Sequence, residues 1–146
     1  MQLIHDHLHR WNDSLPRIPL AVDRLTLTKR RWRGTATDGR EFGFDLAHPL
    51  AEGDVFFQSE TALYQLAQKP EPVLEIALSQ AADDAARLGW KIGNLHFPLE
   101  VATGVIRVAD DPALRQLFER EGWKYTATER VFHPLHGGHS HGHAHD

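Results

Sequence analysis

The chain has 146 residues, a formal net charge of −4 with histidine counted as neutral, and no cysteine. This charge gives no overall positive field that would attract nucleic acid or an anionic membrane. The absence of cysteine excludes disulfides, thiolate ligands and thiol nucleophiles, which leaves oxygen and imidazole as metal ligands. The N-terminal residues lack the apolar run of a signal peptide, and no stretch is long enough to span a membrane, so we expect a cytoplasmic protein.

Alternating apolar and polar residues predict a small antiparallel β domain in the first part of the chain. The pattern favours strands at residues 25–28, 41–46 and 55–58. Asp38-Gly39 predicts a tight two-residue turn between the first two strands, because glycine readily adopts positive φ. Residues 60–68 are interpreted as a helical turn that leads out of this domain.

The segment Lys69-Pro70-Glu71-Pro72 is unsuited to a helix or to the interior of a strand, since neither proline can donate a backbone hydrogen bond. It predicts a boundary between an N-terminal β-rich domain, residues 1–70, and a second domain, residues 71–132.

The second domain is predicted to follow the order strand, helix, strand, strand, helix, strand, which is the ferredoxin-like arrangement. Its first helix is expected to start at a Ser79 cap and to end before Gly89. Its second helix is expected to follow an Asp111 cap, with Pro112 at its first position and Gly122 at its end. The fold class is therefore α+β. The strands are predicted at residues 73–78, 99–101, 105–108 and 125–132.

Six histidines lie in the last 14 residues, separated mainly by glycine, serine and alanine. This tail, residues 133–146, has little to bury and is predicted to be disordered without a ligand. Imidazoles at alternate positions of a flexible chain can fold around one ion, and they suit zinc, copper, iron and nickel. A purification tag or an accidental low-complexity end is the alternative interpretation. The candidate metal ligands of the tail are His136, His139, His141, His143 and His145.

His96 is a second candidate ligand, in the connection between the first helix and the second strand of the second domain. A lone histidine in such a place is more often structural, and one imidazole per chain cannot hold a metal tightly. A two-fold dimer would bring two copies of the same residue together. Two His96 side chains with tail histidines would then supply four or more ligands.

Two further patterns have a functional and a structural interpretation. His5, His7 and His9 alternate and could form another metal-binding surface, although polar residues on one face of an early strand are the simpler explanation. Residues 29–33 place four cations around Trp32, which could contact RNA or an acidic protein. A solvated strand face that limits edge pairing is the more common use of such a pattern.

No motif in the sequence predicts an enzyme: there is no phosphate loop, no HExxH and no serine beside a base and an orienting acid. The acidic pairs Asp83-Asp84 and Asp110-Asp111 fall in the first turns of predicted helices, where negative charge stabilises the helix dipole. They need no catalytic explanation.

Residues 93–99, Gly-Asn-Leu-His-Phe-Pro-Leu, closely resemble the G-N-x-H-x-P segment of the UreE family of urease accessory proteins, which are nickel metallochaperones. The resemblance covers the whole chain. It includes the Asp-Gly hairpin of an N-terminal β domain, the Pro-Val-Leu-Glu-Ile-Ala sequence at 72–77 and a variable histidine-rich C-terminus. Some members carry an additional His-x-His pair after the third strand of the second domain, where this chain has residues 109–111, Ala-Asp-Asp.

The resemblance implies a homodimer joined through the second domains, in which two His96 residues bind one nickel ion. It also implies delivery of nickel through the accessory GTPase UreG to the urease apoprotein activation complex, with the N-terminal domain as a protein-contact surface. Copper and zinc are further ions that the histidines could bind. A general divalent-metal buffer or storage protein is the alternative function, and a nucleic-acid-binding module that uses residues 29–33 is the third.

Overall fold

The computed structural model describes residues 1–135. Ten strands and three helices within these residues give the α+β class that the sequence predicts. The chain divides into two compact units between Lys69 and Pro70. Among the described residues, no helix is both long enough and apolar enough to cross a membrane.

The first unit contains two three-stranded sheets. One has the order β1-β4-β3, with β1 parallel and β3 antiparallel to β4. The other has the order β2-β6-β5, with β2 parallel and β5 antiparallel to β6. Both sheets contribute to one core, in which the Phe42 and Phe56 rings meet edge to face. The elements are β1 Gln2–Ile4, β2 Arg17–Val22, α1 Arg24–Leu27, β3 Arg31–Thr35, β4 Glu41–Asp45, β5 Val55–Gln58 and β6 Leu63–Gln68.

Two predictions of secondary structure in the first unit are wrong. Residues 25–28, predicted as a strand, lie largely in helix α1, because the Asp23 carboxylate caps this turn by accepting from the Thr26 amide at 2.9 Å. Residues 60–68, predicted as a helical turn, contain strand β6. This strand pairs on both sides, and burial on both faces replaces the strict alternation by which a strand is usually recognised.

The turn between β3 and β4 lies where the sequence predicts it, but its loop has three residues instead of two. The Ala36 amide donates to the Arg40 carbonyl and the Gly39 amide donates to the Ala36 carbonyl, both at 2.9 Å. Gly39 has a φ of +91°, so it supplies the left-handed residue that follows the turn in three-residue hairpins.

The second unit is a four-stranded antiparallel sheet of order β10-β7-β9-β8 with two helices. Leu88 and Ile92 of the first helix and Leu114, Leu117 and Phe118 of the second share one core with the sheet. The elements are β7 Glu71–Ala77, α2 Ala82–Asn94, β8 Leu99–Ala102, β9 Val105–Ala109, α3 Pro112–Glu121 and β10 Thr126–Arg130.

Helix α2 differs from its prediction at both ends. Ser79 does not cap it: its hydroxyl accepts from the Ala81 amide, and Ala81 is the N-cap residue. The helix continues through Gly89 to Asn94. An interior glycine costs about 1 kcal/mol, whereas burial of an isoleucine side chain contributes about 1.5–3 kcal/mol. The burial of Ile92, one turn after Leu88, therefore outweighs the glycine.

Helix α3 follows its prediction. The Asp111 carboxylate accepts from the Ala113 amide at 2.8 Å, Pro112 is the first helical residue, and Gly122 ends the helix with a φ of +74°. Strand β7 starts earlier than predicted, at Glu71, and includes Pro72, whose carbonyl accepts from the Asp110 amide at 3.1 Å. A proline is tolerated here because it lies near the beginning of the strand.

Candidate metal site

His96 lies two residues after the end of helix α2 and is exposed. Its backbone is left-handed, with a φ of +63°, and it is the one non-glycine residue with positive φ in residues 1–135. Its amide donates to the Gly93 carbonyl at 2.9 Å. Glycine is the usual residue at this position after a helix, because a Cβ in this conformation costs about 1–2 kcal/mol. A non-glycine residue in this strained conformation points to a role for its side chain.

Several large apolar side chains of the second unit that are close to His96 in sequence are exposed. Trp90 in helix α2 is 67% exposed, Leu95 is 46% exposed and Val101 in strand β8 is 52% exposed. Burying these side chains would be favourable in an assembly, since each contributes a large apolar area.

The chain after β10 returns to the strand that follows His96. Phe132 is fully buried, and the Leu135 amide donates to the Leu99 carbonyl at 2.7 Å. Since β10 and β8 are the two edge strands, residues 131–135 run from one edge of the sheet to the other. Leu99 lies three residues from His96, a span of at most about 11 Å. The tail is therefore attached close to His96.

An ion-pair network holds this return segment on the sheet. Glu75 accepts from Arg107 and, at 2.6 Å, from Arg130, while Arg107 also donates to Oε2 of Glu100 at 3.3 Å. The other oxygen of Glu100 accepts from the His133 amide at 3.2 Å. The hydrogen bond from Arg107 is the largest of the causes that lower the pKa of Glu75. Glu100 thus connects the network to the beginning of the tail.

The tail ligands predicted from the sequence lie outside the described residues. The sequence predicts that His96 and tail histidines share one site, but not that the chain returns to β8, near His96, where the tail begins. The predicted tail ligands outside the described residues are His136, His139, His141, His143 and His145.

The N-terminal histidines are not on a strand, because β1 ends at Ile4. His5 is apart from the others, with Nδ1 2.9 Å from the Asp45 carbonyl. His7, His9 and the preceding Asp6 carboxylate form a compact cluster whose ligand atoms lie within 4.8 Å of one another. The alternating histidines predicted His5 as a member of this group, whereas in the structure Asp6 takes that place.

The His7 ring in this cluster is hydrogen-bonded to the backbone. Its Nδ1 lies 2.9 Å from the Leu8 carbonyl, and this bond is the largest cause that raises the pKa of His7 above its ordinary value. Desolvation lowers it, whereas the charges of Asp6 and Asp54 raise it further.

Two residues of the basic segment at residues 29–33 make side-chain contacts within the first unit. Trp32 stacks on Phe44 with ring centroids 3.9 Å apart and packs against the core, so the ring face on Phe44 is not free to stack on a base. Arg31 donates to Asp45 at 2.9 Å. The exposed cations that remain are Lys29, Arg30 and Arg33.

Comparison with known proteins gives one family. The model of the family described as "UreE urease accessory protein, C-terminal domain" matches residues 71–146. A urease accessory protein UreE of Azotobacter vinelandii is 31% identical over 121 residues, which is 81% of this chain and 72% of that protein. UreE of Pseudomonas fluorescens Pf0-1 is 28% identical over 94% of this chain and 86% of its own length, and UreE of Bradyrhizobium sp. BTAi1 is 30% identical over 94% and 68%. The chain therefore belongs to the UreE family of urease accessory proteins.

Proposed function

We propose that this protein is a nickel metallochaperone, a binding protein and not an enzyme, which carries nickel as a homodimer and delivers it for assembly of the urease metallocentre. The observation that carries the proposal is the exposed imidazole of His96, held in a strained left-handed turn inside the segment by which the chain resembles its family. Membership of a urease accessory family supports the same conclusion.

The dimer completes the metal site in this proposal. One imidazole is too few ligands for tight binding, whereas an isologous contact between second domains supplies two copies of His96. The exposed Trp90, Leu95 and Val101 provide apolar surface that such a contact can bury. We class residues 71–132 as a ferredoxin-like dimerisation domain, on the basis of the βαββαβ order and the β10-β7-β9-β8 sheet.

The tail, residues 133–146, supplies further imidazoles to the shared ion and additional binding capacity. The hydrogen bond between Leu135 and Leu99 supports this part of the proposal, because it attaches the tail to a residue that lies within about 11 Å of His96. Nickel, copper and zinc all accept imidazole ligands, so selectivity depends on delivery as well as on the site. The proposed tail ligands are His136, His139, His141, His143 and His145.

Release proceeds by ligand exchange. Imidazoles of the tail can leave the ion one at a time while the ligands of an acceptor replace them, so the ion is never fully hydrated. The proposed acceptors are the accessory GTPase UreG and the urease apoprotein activation complex, and we propose that this delivery takes place in the cytoplasm. Residues 1–70 form the protein-contact domain in this proposal, with Lys29, Arg30 and Arg33 as exposed cations that suit an acidic partner.

A urease activation assay with limiting nickel tests the proposal. His96→Ala is expected to reduce activated urease at least about tenfold, as removal of a key ligand should, and His48→Ala, a change of another exposed histidine, should have no effect. Retained activation with His96→Ala would contradict the chaperone mechanism. It would favour the alternative, a divalent-metal buffer or storage protein in which the tail alone binds metal.

A further inference from the structure

A loop of the first unit brings two imidazoles and one carboxylate together, far along the chain from His96. Asp6 Oδ1 lies 3.8 Å from His7 Nε2, and Asp6 Oδ2 lies 3.8 Å from His9 Nε2. The His7 and His9 ring centroids are 4.6 Å apart in an edge-to-face arrangement. The carboxylate is therefore close to both outer ring nitrogens.

The hydrogen bond at the other side of the His7 ring selects the tautomer that can bind a metal. The Leu8 carbonyl can only accept, so Nδ1 of His7 must carry the proton that it donates at 2.9 Å. The neutral ring then has its lone pair on Nε2, which faces Asp6. Metal-binding histidines are oriented by a backbone carbonyl in the same way.

The loop is held in this form by its own backbone contacts. The Leu8 amide donates to the Val55 carbonyl of β5 at 2.8 Å, and the His7 amide donates to Asp6 Oδ1 at 2.8 Å. A ligand set whose backbone is fixed before binding loses less conformational freedom when the ion arrives.

We propose that Asp6, His7 and His9 form a second metal site, which binds one divalent first-row transition ion per chain. Two Nε2 atoms and one carboxylate oxygen are the ligands, and water completes the coordination. Such ligands lie about 2.0–2.2 Å from zinc, so the three atoms, now within 4.8 Å of one another, must draw slightly closer. The side chains of Asp6 and His9 are 64% and 75% exposed, which leaves them free to rotate inward.

This site differs from the one proposed at His96 in its unit and in its ligands. It needs neither a second chain nor the tail, and a carboxylate replaces the imidazoles that the dimer would add. Because the site is exposed and has three protein ligands, it should exchange its ion readily with solution. The competing explanation is that the cluster binds no metal, and that each histidine forms an ion pair with Asp6 when it is protonated.

Nickel titration of a full-length variant separates these possibilities independently of the proposed chaperone function. The background carries alanine in place of His96 and all six tail histidines, which leaves His5, His7, His9 and His48. We expect this background to bind one nickel ion per chain in calorimetry. His7→Ala and His9→Ala should each weaken binding at least about tenfold, and Asp6→Asn should weaken it while preserving the fold.

His5→Ala is the matched control, because it removes a neighbouring exposed histidine that lies outside the cluster. It should leave nickel affinity unchanged, and circular dichroism should be the same for all variants. The proposal is overturned if the background binds no nickel, if His7→Ala and His9→Ala bind as the background does, or if His5→Ala weakens binding equally. Zinc-induced shifts of the Nε2 resonances of His7 and His9, without a shift at His5, would support it by a second measurement.

Discussion

The backbone at position 96 has a φ of +63°, a conformation that suits glycine, yet a histidine stands there. His96→Gly and His96→Ala both remove the imidazole, but only glycine also removes the Cβ that the left-handed turn disfavours. We expect His96→Gly to be more stable than His96→Ala by about 1 kcal/mol. Urea denaturation of the two variants measures this difference. Equal stabilities would mean that the turn stores no strain.

The lowered pKa of Glu75 predicts how the free energy of unfolding depends on pH. Its pKa is lowered from an ordinary value near 4.5, chiefly by the hydrogen bond from Arg107. A carboxylate with a lowered folded-state pKa contributes stability that is fully present above its unfolded pKa and is lost as pH falls through the folded value. Glu75→Gln should therefore lower the free energy of unfolding at pH 7 by on the order of 1–2 kcal/mol.

The same variant should show a flatter decline of stability than the original chain below about pH 4.5, because its amide does not titrate. Thermal unfolding across this range is the measurement. An unchanged acid profile in Glu75→Gln would show that the network around Arg107 does not control the acid response.

At the scale of elements, two glycines in helical sequences have opposite roles. Gly89 lies inside α2, and among the described residues a Cβ added there meets no atom within 4 Å beyond its chain neighbours and the adjacent helix backbone. Gly89→Ala should raise the free energy of unfolding by up to about 1 kcal/mol. Gly122 ends α3 with a φ of +74°, so Gly122→Ala should lower it by about 1 kcal/mol. Destabilisation by Gly89→Ala would contradict the continuous helix.

Helix α3 could be predicted because its signals are local: the Asp111 cap, Pro112 and Gly122 each act through the backbone of the adjacent turn. The end of α2 could not be predicted in this way. Gly89 resembles a helix end in sequence, and the burial of Ile92 against the sheet overrides it. Strand β6 was missed for a similar reason, because pairing with β2 and β5 buries both of its faces.

At the scale of the whole molecule, the candidate site could be predicted only in part. His96 was found from the local segment in which it lies. The return of the chain to β8 could not be found, because Leu135 and Leu99 are far apart in sequence and meet only through the sheet. The cluster at Asp6 was obscured by the alternation of the histidines, which resembles a strand face although β1 ends at Ile4.

In the proposed dimer, two chains share one nickel ion through His96. This arrangement is tested most directly by nickel titration read beside the mass of the assembly, on a full-length variant that lacks the other candidate histidines. We predict a dimer that binds one nickel ion, no binding after His96→Ala is added, and no change after His48→Ala. Binding that persists with His96→Ala, or one nickel ion on a monomer, would contradict a nickel site shared through His96. The histidines replaced by alanine in this variant are His7, His9, His136, His139, His141, His143 and His145.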